Sequence, residues 1–143
     1  MAAPLSKADI ASRQLDTAID LYFSGDLISA VTLAGAADEI LGKMVRGFGQ
    51  NSSLDDAVER MCGMYEAAFG EPADPKAFVD LRNRARNEFK HIASAMDFSG
   101  DLEREAHSMI KRAIENCRKL RLGNFERFRH FEREMVRRSH EHK

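Results

Sequence analysis

Apolar residues recur at three- and four-residue intervals along most of the chain, which is the spacing of amphipathic helices. Clusters of Gly, Ser, Asp and Pro interrupt this spacing, and such clusters are typical of turns between helices. No alternating pattern of the kind that indicates β-strands is visible. The predicted helices begin at or just after Ser6, Leu27, Ser53, Pro75, Leu102 and Asn124.

Local signals predict where the third and fourth helices begin. Ser53 is the predicted cap of the third helix, because a serine hydroxyl followed by Asp55 and Asp56 stabilises a helix N-terminus. Asp74 is the predicted cap of the fourth helix, with a proline at its first position. We expect the fourth helix to continue without interruption to about Asp97.

The predicted fold is all-α, an up-and-down helical bundle of four to five helices plus a C-terminal amphipathic helix. A single domain covers residues 1–143, with its core over 6–122 and the last helix over 124–139, after a turn at Gly123. Three phenylalanines on the highly charged last helix must pack on the bundle or on a second chain. We assign them to a dimer or partner contact.

The fourth predicted helix has an apolar stripe and a polar face opposite to it. On a straight helix Asn87 lies opposite the stripe, with Asn83 and His91 about 40° to either side. Arg86 lies on one shoulder, about 140° from His91. A site that uses both side chains therefore needs a long reach by the arginine or a second chain. The stripe consists of Phe78, Ala85, Phe89, Ile92 and Met96.

The composition is that of a globular chain with a formal net charge of −1, 43% hydrophobic and 31% charged residues. Because the chain as a whole does not attract anions, binding to nucleic acid needs a local cationic patch. Neither a signal peptide nor an apolar run of membrane-spanning length is visible, and we expect no membrane association. Cys62 and Cys117 lie on predicted apolar stripes, which favours buried reduced thiols and a cytoplasmic protein.

The second helix contains the small-residue run Ala34-Gly35-Ala36-Ala37, which permits close approach of another helix. Asp38 and Glu39 follow directly. We expect both carboxylates to lie on the solvated side of the helix.

The sequence contains no complete motif for a metal site or for a catalytic Ser or Cys nucleophile. Glu88 and His91 have the Glu-x-x-His spacing of di-iron bundles, but such sites need two of these motifs and two further carboxylates. Glu103 and His107 are four apart and do not complete the pattern. Zinc-ligand spacings, phosphate-binding glycine loops and nucleophile motifs are absent. No metal and no cofactor is predicted.

The run Arg86-Asn87-Glu88-Phe89-Lys90-His91 offers a guanidinium for a phosphate, an amide to position it and an imidazole that titrates near neutral pH. Such a set can cleave RNA without a metal, because the ribose 2′-OH is an internal nucleophile and the protein need only move protons and stabilise the phosphorane. The alternative interpretation is the solvated face of an amphipathic helix.

Two segments resemble the HEPN family (higher eukaryotes and prokaryotes nucleotide-binding domain). Residues 22–41, YFSGDLISAVTLAGAADEIL, are similar to the family's first hairpin, in which a Gly-Asp turn leads into an Ala-rich helix with an acidic pair. Arg86-Asn87-x-x-x-His91 is similar to the family's Arg-(Asn/Asp/His)-x-x-x-His signature. The resemblance covers about residues 6–122.

The resemblance implies a helical bundle, usually dimeric, with the signature helices of two chains facing each other. Active members are metal-independent endoribonucleases, many of them in toxin–antitoxin or other defence systems. Arg86 would bind the scissile phosphate, His91 would transfer a proton or contact the phosphate, and Asn87 would orient the RNA.

Further RNA contacts are expected from Arg82, Asn83 and Lys90. The implied partners are a second copy of the chain and an antitoxin or nucleotidyltransferase-like protein. The alternative is a catalytically inactive module that binds nucleotide or a protein through the same face, and a di-metal bundle is the third option.

Overall fold

The computed structural model describes residues 3–90 and 97–143, and every regular element in these two ranges is a helix. No strand occurs in either range, so the all-α prediction is confirmed. The helices are α1 (Lys7–Ser24), α2 (Leu27–Gly47), α3 (Ser53–Phe69), α4 (Pro75–Arg82), α5 (Arg84–Glu88), α6 (Leu102–Leu120) and α7 (Phe125–Glu141).

The centre of the bundle is α2, which packs along both α1 and α6. Its buried face consists largely of small residues, with Ala30, Ala34 and Ala37 fully buried, so the neighbouring helices can approach closely. The helices α3 and α4 pack on each other at one side, where α3 also contacts α6, and the short α5 rests against α2. The predicted small-residue contact of the second helix is therefore present.

Most helix boundaries agree with the local signals, and three do not, two of them at helix caps. Ser52, not Ser53, caps α3, and its hydroxyl and the Asp55 carboxylate form a reciprocal capping box. The neighbouring Ser53 instead donates its backbone N–H to Asn116 on α6. The helix α6 ends in a left-handed residue at Arg121 (φ 56°), two residues before the predicted turn at Gly123.

The fourth predicted helix is not continuous. It divides at Asn83 into α4 and α5, and α5 ends at Glu88, well before Asp97. The division follows from a side-chain contact described below. The remainder of the predicted stripe, Ile92 and Met96, and His91 with it, lies outside the described residues.

The C-terminal helix packs on its own bundle, which corrects the assignment of its phenylalanines to a partner. Phe128 and Phe131 are fully buried, and the Phe131 ring lies 5.4 Å from the ring of Tyr22. Arg127 pairs with Asp20 on α1, which holds the start of α7 against that helix. The helix α7 therefore contributes side chains to the core of the bundle.

The two cysteines differ in environment. Cys117 is buried, and burial raises the pKa of its thiol to about 12. Cys62 is only partly buried, which corrects the expectation that both thiols are in the core. Among the helices of the described ranges, none is long and apolar enough to cross a membrane.

We expect Phe131→Ala to lower the free energy of unfolding by about 3–5 kcal/mol, because it empties a fully buried aromatic site between α1, α6 and α7. The matched control is Phe125→Ala on the same helix, at a ring that is 40% exposed, and its loss should be less than half as large. Urea denaturation followed by circular dichroism measures both. Equal losses would contradict the packing of α7 on the bundle.

Candidate functional site

The interruption between α4 and α5 is bound by an arginine of α6. Asn83 has φ −101° and ψ 6°, which takes it out of helical geometry. Arg112 donates from Nη2 to the Asn83 side-chain oxygen (2.7 Å) and from Nη1 to the Arg82 carbonyl (3.4 Å). A side chain that bonds to helix carbonyls at one point commonly bends or breaks the helix there. This contact is the physical reason why one predicted helix became two.

Arg112 belongs to a buried polar cluster, formed by Asp38, Asn83, Arg112 and Asn116. The Asp38 Oδ2 atom accepts from Arg112 Nε (2.9 Å) and Nη2 (2.7 Å), and its Oδ1 atom accepts from Asn116 Nδ2 (2.8 Å). The Asn116 side-chain oxygen accepts from the Ser53 backbone N–H (2.8 Å). The buried polar cluster therefore joins α2, α3, the α4–α5 break and α6.

Two expectations about individual side chains are corrected here. Asp38 is 4% exposed and lies in the core, not on the solvated side of α2, because Arg112 reaches it from α6. Asn83 is 6% exposed, not on an outward polar face beside Asn87, because the break turns it inward. Glu39 lies on the exposed side of α2, as predicted.

Arg86 lies on α5 directly over Gly35 of α2. A β-carbon at position 35 would stand 2.5 Å from Arg86 Cδ and 2.8 Å from Cγ, so the missing side chain makes room for the arginine stem. The Nε atom of Arg86 is buried and has no hydrogen-bond partner within residues 3–90 and 97–143. The contact thus fixes the stem of Arg86 and leaves part of its guanidinium unsatisfied.

Arg86 lines a cavity of about 230 Å³ between α2, the α4–α5 break and the start of α3, here named the Arg86 cavity. Two further cations, Lys43 and Arg46, lie on its α2 wall. The remaining lining residues are Asp38, Glu39, Gly42, Ser52, Leu54, Val79, Asn83, Arg112 and Asn116.

The neighbouring cations are already paired. Arg46 donates to Asp55, and this bond is the main reason why the pKa of Asp55 falls to about 2. Lys43 lies 3.4 Å from the Glu39 carboxylate. That bond is the first cause of the lowered pKa of Glu39, and the charges of Arg86 and Lys90 lower it further. Within the described ranges, Arg86 is the cavity's arginine without an ion pair.

The structure separates the predicted site residues into groups. Arg86, Asn87 and Lys90 lie together on one short segment, with Asn87 and Lys90 exposed. Asn83 belongs to the buried polar cluster, and Arg82 lines a different cavity. His91 follows Lys90 directly in the chain and lies outside the described residues, so its geometry relative to Arg86 stays a prediction.

Sequence reasoning overlooked Arg112 and Asn116, although both left a signal. They lie four residues apart inside the most regular apolar stripe of the chain, between Met109, Ala113 and Cys117. A polar pair at that spacing on a core-facing stripe indicates a buried network, because such groups are costly unless they are bonded. Asp38, in the Ala-rich part of α2, accepts hydrogen bonds from both.

No group of three or more His, Cys, Asp and Glu side chains with metal-binding geometry occurs in residues 3–90 and 97–143. The Glu-x-x-His pair of the di-metal hypothesis includes His91 and so extends beyond these ranges. Glu103 and His107 both line another cavity, together with Tyr22 and Arg138.

Comparison of the chain with protein-family models, with curated proteins and with solved structures finds no match. The resemblance to HEPN domains therefore rests on the two sequence segments quoted above.

We expect Arg112→Gln to lower the free energy of unfolding by about 3–5 kcal/mol, because it leaves the Asp38 carboxylate buried without a cation. The double variant Arg112→Gln/Asp38→Asn should lose less free energy of unfolding than the two single variants lose together, since the charge that needs a partner is then also gone. Chemical denaturation of both single variants and the double variant tests this coupling.

The control for this cycle is Lys76→Gln, which removes the exposed ion pair with Asp80 and should leave stability unchanged within error. Fully additive losses at Arg112 and Asp38 would contradict a coupled buried pair.

We expect Gly35→Ala to displace the Arg86 side chain while the fold persists, because the new methyl group overlaps the flexible arginine stem and not backbone. The measurement is the ¹⁵N NMR signal of the Arg86 Nε–H group, assigned by its loss in Arg86→Lys. The control is Gly63→Ala in α3, where a β-carbon meets nothing within 4 Å. That variant should gain about 0.5–1 kcal/mol of stability and keep the Arg86 signal. An unchanged signal in Gly35→Ala would contradict the contact.

Proposed function

We propose that this protein is a metal-independent endoribonuclease of the HEPN type, with Arg86 as the group that binds the scissile phosphate. The observation that carries the proposal is the state of Arg86: its stem is fixed over Gly35, it lines the Arg86 cavity, and its buried Nε has no partner among the described residues. A guanidinium that is held in place and incompletely bonded suits a phosphate oxygen, which accepts charge-assisted hydrogen bonds.

The reaction in this proposal needs only proton transfers and charge stabilisation. The ribose O2′ bonds to phosphorus, the P–O5′ bond breaks, and a 2′,3′-cyclic phosphate forms. One group takes the proton from O2′ and another delivers a proton to O5′, and His91 is the candidate because imidazole titrates near neutral pH. Arg86 stabilises the negative charge of the phosphorane.

Neighbouring side chains support substrate binding by their positions. Asn87 and Lys90 are exposed on the same segment as Arg86, so their amide and ammonium groups are accessible to an RNA strand. Asn83 acts by position, since its amide oxygen accepts from Arg112 and so fixes the segment that presents Arg86. Arg82 is a more distant RNA contact.

The proposal includes a site shared by two copies of the chain. The helix α5 ends at Glu88, His91 follows three residues later in the chain, and a homodimer supplies two copies of both Arg86 and His91. Two histidines per site would provide both the base and the acid. A role in a toxin–antitoxin or defence system of the cytoplasm, with an antitoxin or nucleotidyltransferase-like partner, belongs to the same proposal.

A second candidate function is a catalytically inactive binding module for nucleotide or a protein partner. It is favoured by Glu39, whose carboxylate lies close enough to Arg86 and Lys90 for both charges to lower its pKa. A carboxylate in that place competes with a phosphate for the arginine. The two candidates differ in whether the bound RNA is cleaved.

We expect the wild-type protein to cleave a mixed RNA pool in EDTA and to leave 2′,3′-cyclic phosphate ends. Arg86→Ala and His91→Ala should each lower the cleavage rate by about 10²–10⁴-fold, the range for loss of a group that acts in the transition state. Arg129→Ala, at an exposed arginine of α7, is the matched control and should cleave like wild type.

Glu39→Gln sharpens the comparison between the two candidates. In a ribonuclease it should tighten RNA binding and preserve cleavage, because it removes the competing carboxylate. A folded wild-type dimer that binds RNA without cleaving it, with or without this change, would replace the ribonuclease by the binding module.

A further inference from the structure

A second cavity, here named the Arg82 cavity, shares no lining residue with the Arg86 cavity. It has a volume of about 410 Å³ and is enclosed by α3, α4 and the first turns of α6. Three arginines line it, Arg82, Arg84 and Arg104, together with the carboxylates of Asp101 and Glu105. Of these residues the proposed ribonuclease uses only Arg82, as a distant RNA contact, and none takes part in the cleavage step.

Arg82 is partly buried, and burial disfavours its charge. Its Nε atom is buried without a hydrogen-bond partner, and no carboxylate lies within ion-pair distance of it in the described ranges. Burial lowers the pKa of Arg82, the positive charges of Arg112 and Arg60 lower it further, and the carboxylates of Glu115 and Glu105 offset part of this effect. A bound anion would favour the charged form of Arg82 further.

The other two arginines differ in how firmly they are held. Arg84 donates to the Ser99 carbonyl, and its guanidinium lies 5.0 Å from the centre of the Phe98 ring. These contacts fix the guanidinium at the cavity wall with N–H groups to spare. Arg104 is exposed on the first turn of α6 and makes no side-chain ion pair within residues 3–90 and 97–143.

The two carboxylates do not neutralise this set. The Asp101 carboxylate caps α6 by accepting from the Arg104 backbone N–H, so it serves the helix. Glu105 lies one turn further along and makes no ion pair within the described ranges. Three guanidinium groups therefore face two carboxylates, and one positive charge in the lining remains uncompensated.

We propose that the Arg82 cavity binds a phosphate group, with Arg82, Arg84 and Arg104 as its ligands. Several guanidinium groups around one cavity suit the several oxygens of a phosphate better than the two of a carboxylate. The volume exceeds that of one phosphate, so the group is either part of a free nucleotide or part of an RNA strand. The site does not depend on the ribonuclease proposal.

The test is calorimetric titration of the full-length protein with pyrophosphate at about 0.15 M salt, where weak surface attraction is largely screened. We expect saturable binding of one pyrophosphate per chain. Arg104→Gln should weaken it by about fivefold, as for a partly screened charge pair. Arg82→Gln should weaken it more, and Glu105→Gln should strengthen it, because a repelling carboxylate is removed.

The controls separate this site from general charge and from the Arg86 cavity. Arg129→Gln, which makes the same change at an exposed arginine of α7, should bind pyrophosphate like wild type. Arg86→Ala, which removes the phosphate-binding arginine of the other cavity, should retain the pyrophosphate binding that Arg104→Gln weakens. Because Arg82→Gln alters a partly buried residue, the decisive variant is Arg104→Gln, whose exposed side chain the fold does not require.

Two further ligands identify the source of the phosphate. If adenosine monophosphate binds and Arg104→Gln weakens its binding, the natural ligand is a nucleotide. If Arg104→Gln weakens the binding of a short oligoribonucleotide and adenosine monophosphate does not bind, the ligand is an RNA strand. Absence of saturable pyrophosphate binding by wild type, or equal affinity of wild type, Arg104→Gln and Glu105→Gln, would overturn the proposal. Neither result would bear on cleavage at Arg86.

Discussion

The ion pair between Arg112 and Asp38 is the interaction on which the rest of this structure depends. Both side chains are almost fully buried, and a guanidinium so far from water is costly unless its N–H groups find acceptors. Arg112 satisfies them with the Asp38 carboxylate, the Asn83 amide and the Arg82 carbonyl. The need of this one buried cation for acceptors therefore decides where the helix divides between α4 and α5.

The break between α4 and α5, where Arg112 finds two of its acceptors, also separates Arg82 from Arg86. On a continuous helix Arg82 and Arg86, four residues apart, would lie on the same face. With the helix interrupted at Asn83, Arg82 lines one cavity and Arg86 the other. A chain with a formal net charge of −1 thereby presents two separate cationic surfaces. The proposed cleavage site and the proposed phosphate site both follow from the same buried cluster.

The last helix packs its phenylalanines into the core of the bundle. Phe128 and Phe131 fill space beside α1 and α6, and Arg127 pairs with α1, so α7 is occupied within its own chain. The exposed segment with Arg86, Asn87 and Lys90 lies instead against α2 through α5. In the proposed ribonuclease the shared site is built from that segment, and the core provides the rigid support that a positioned guanidinium needs.

The sequence by itself determined the all-α class, the starts of α1 and α2 and the start of the last helix after Asn124, because each depends on side chains within a few residues of one another. It also indicated Arg86 and Asn87 as accessible chemistry on one segment. Only the tertiary structure decided that Asp38 and Asn83 are buried and that the fourth helix divides. Their partner Arg112 is 74 and 29 residues away in the chain, and no local pattern encodes an ion pair that forms only when α2 and α6 pack together.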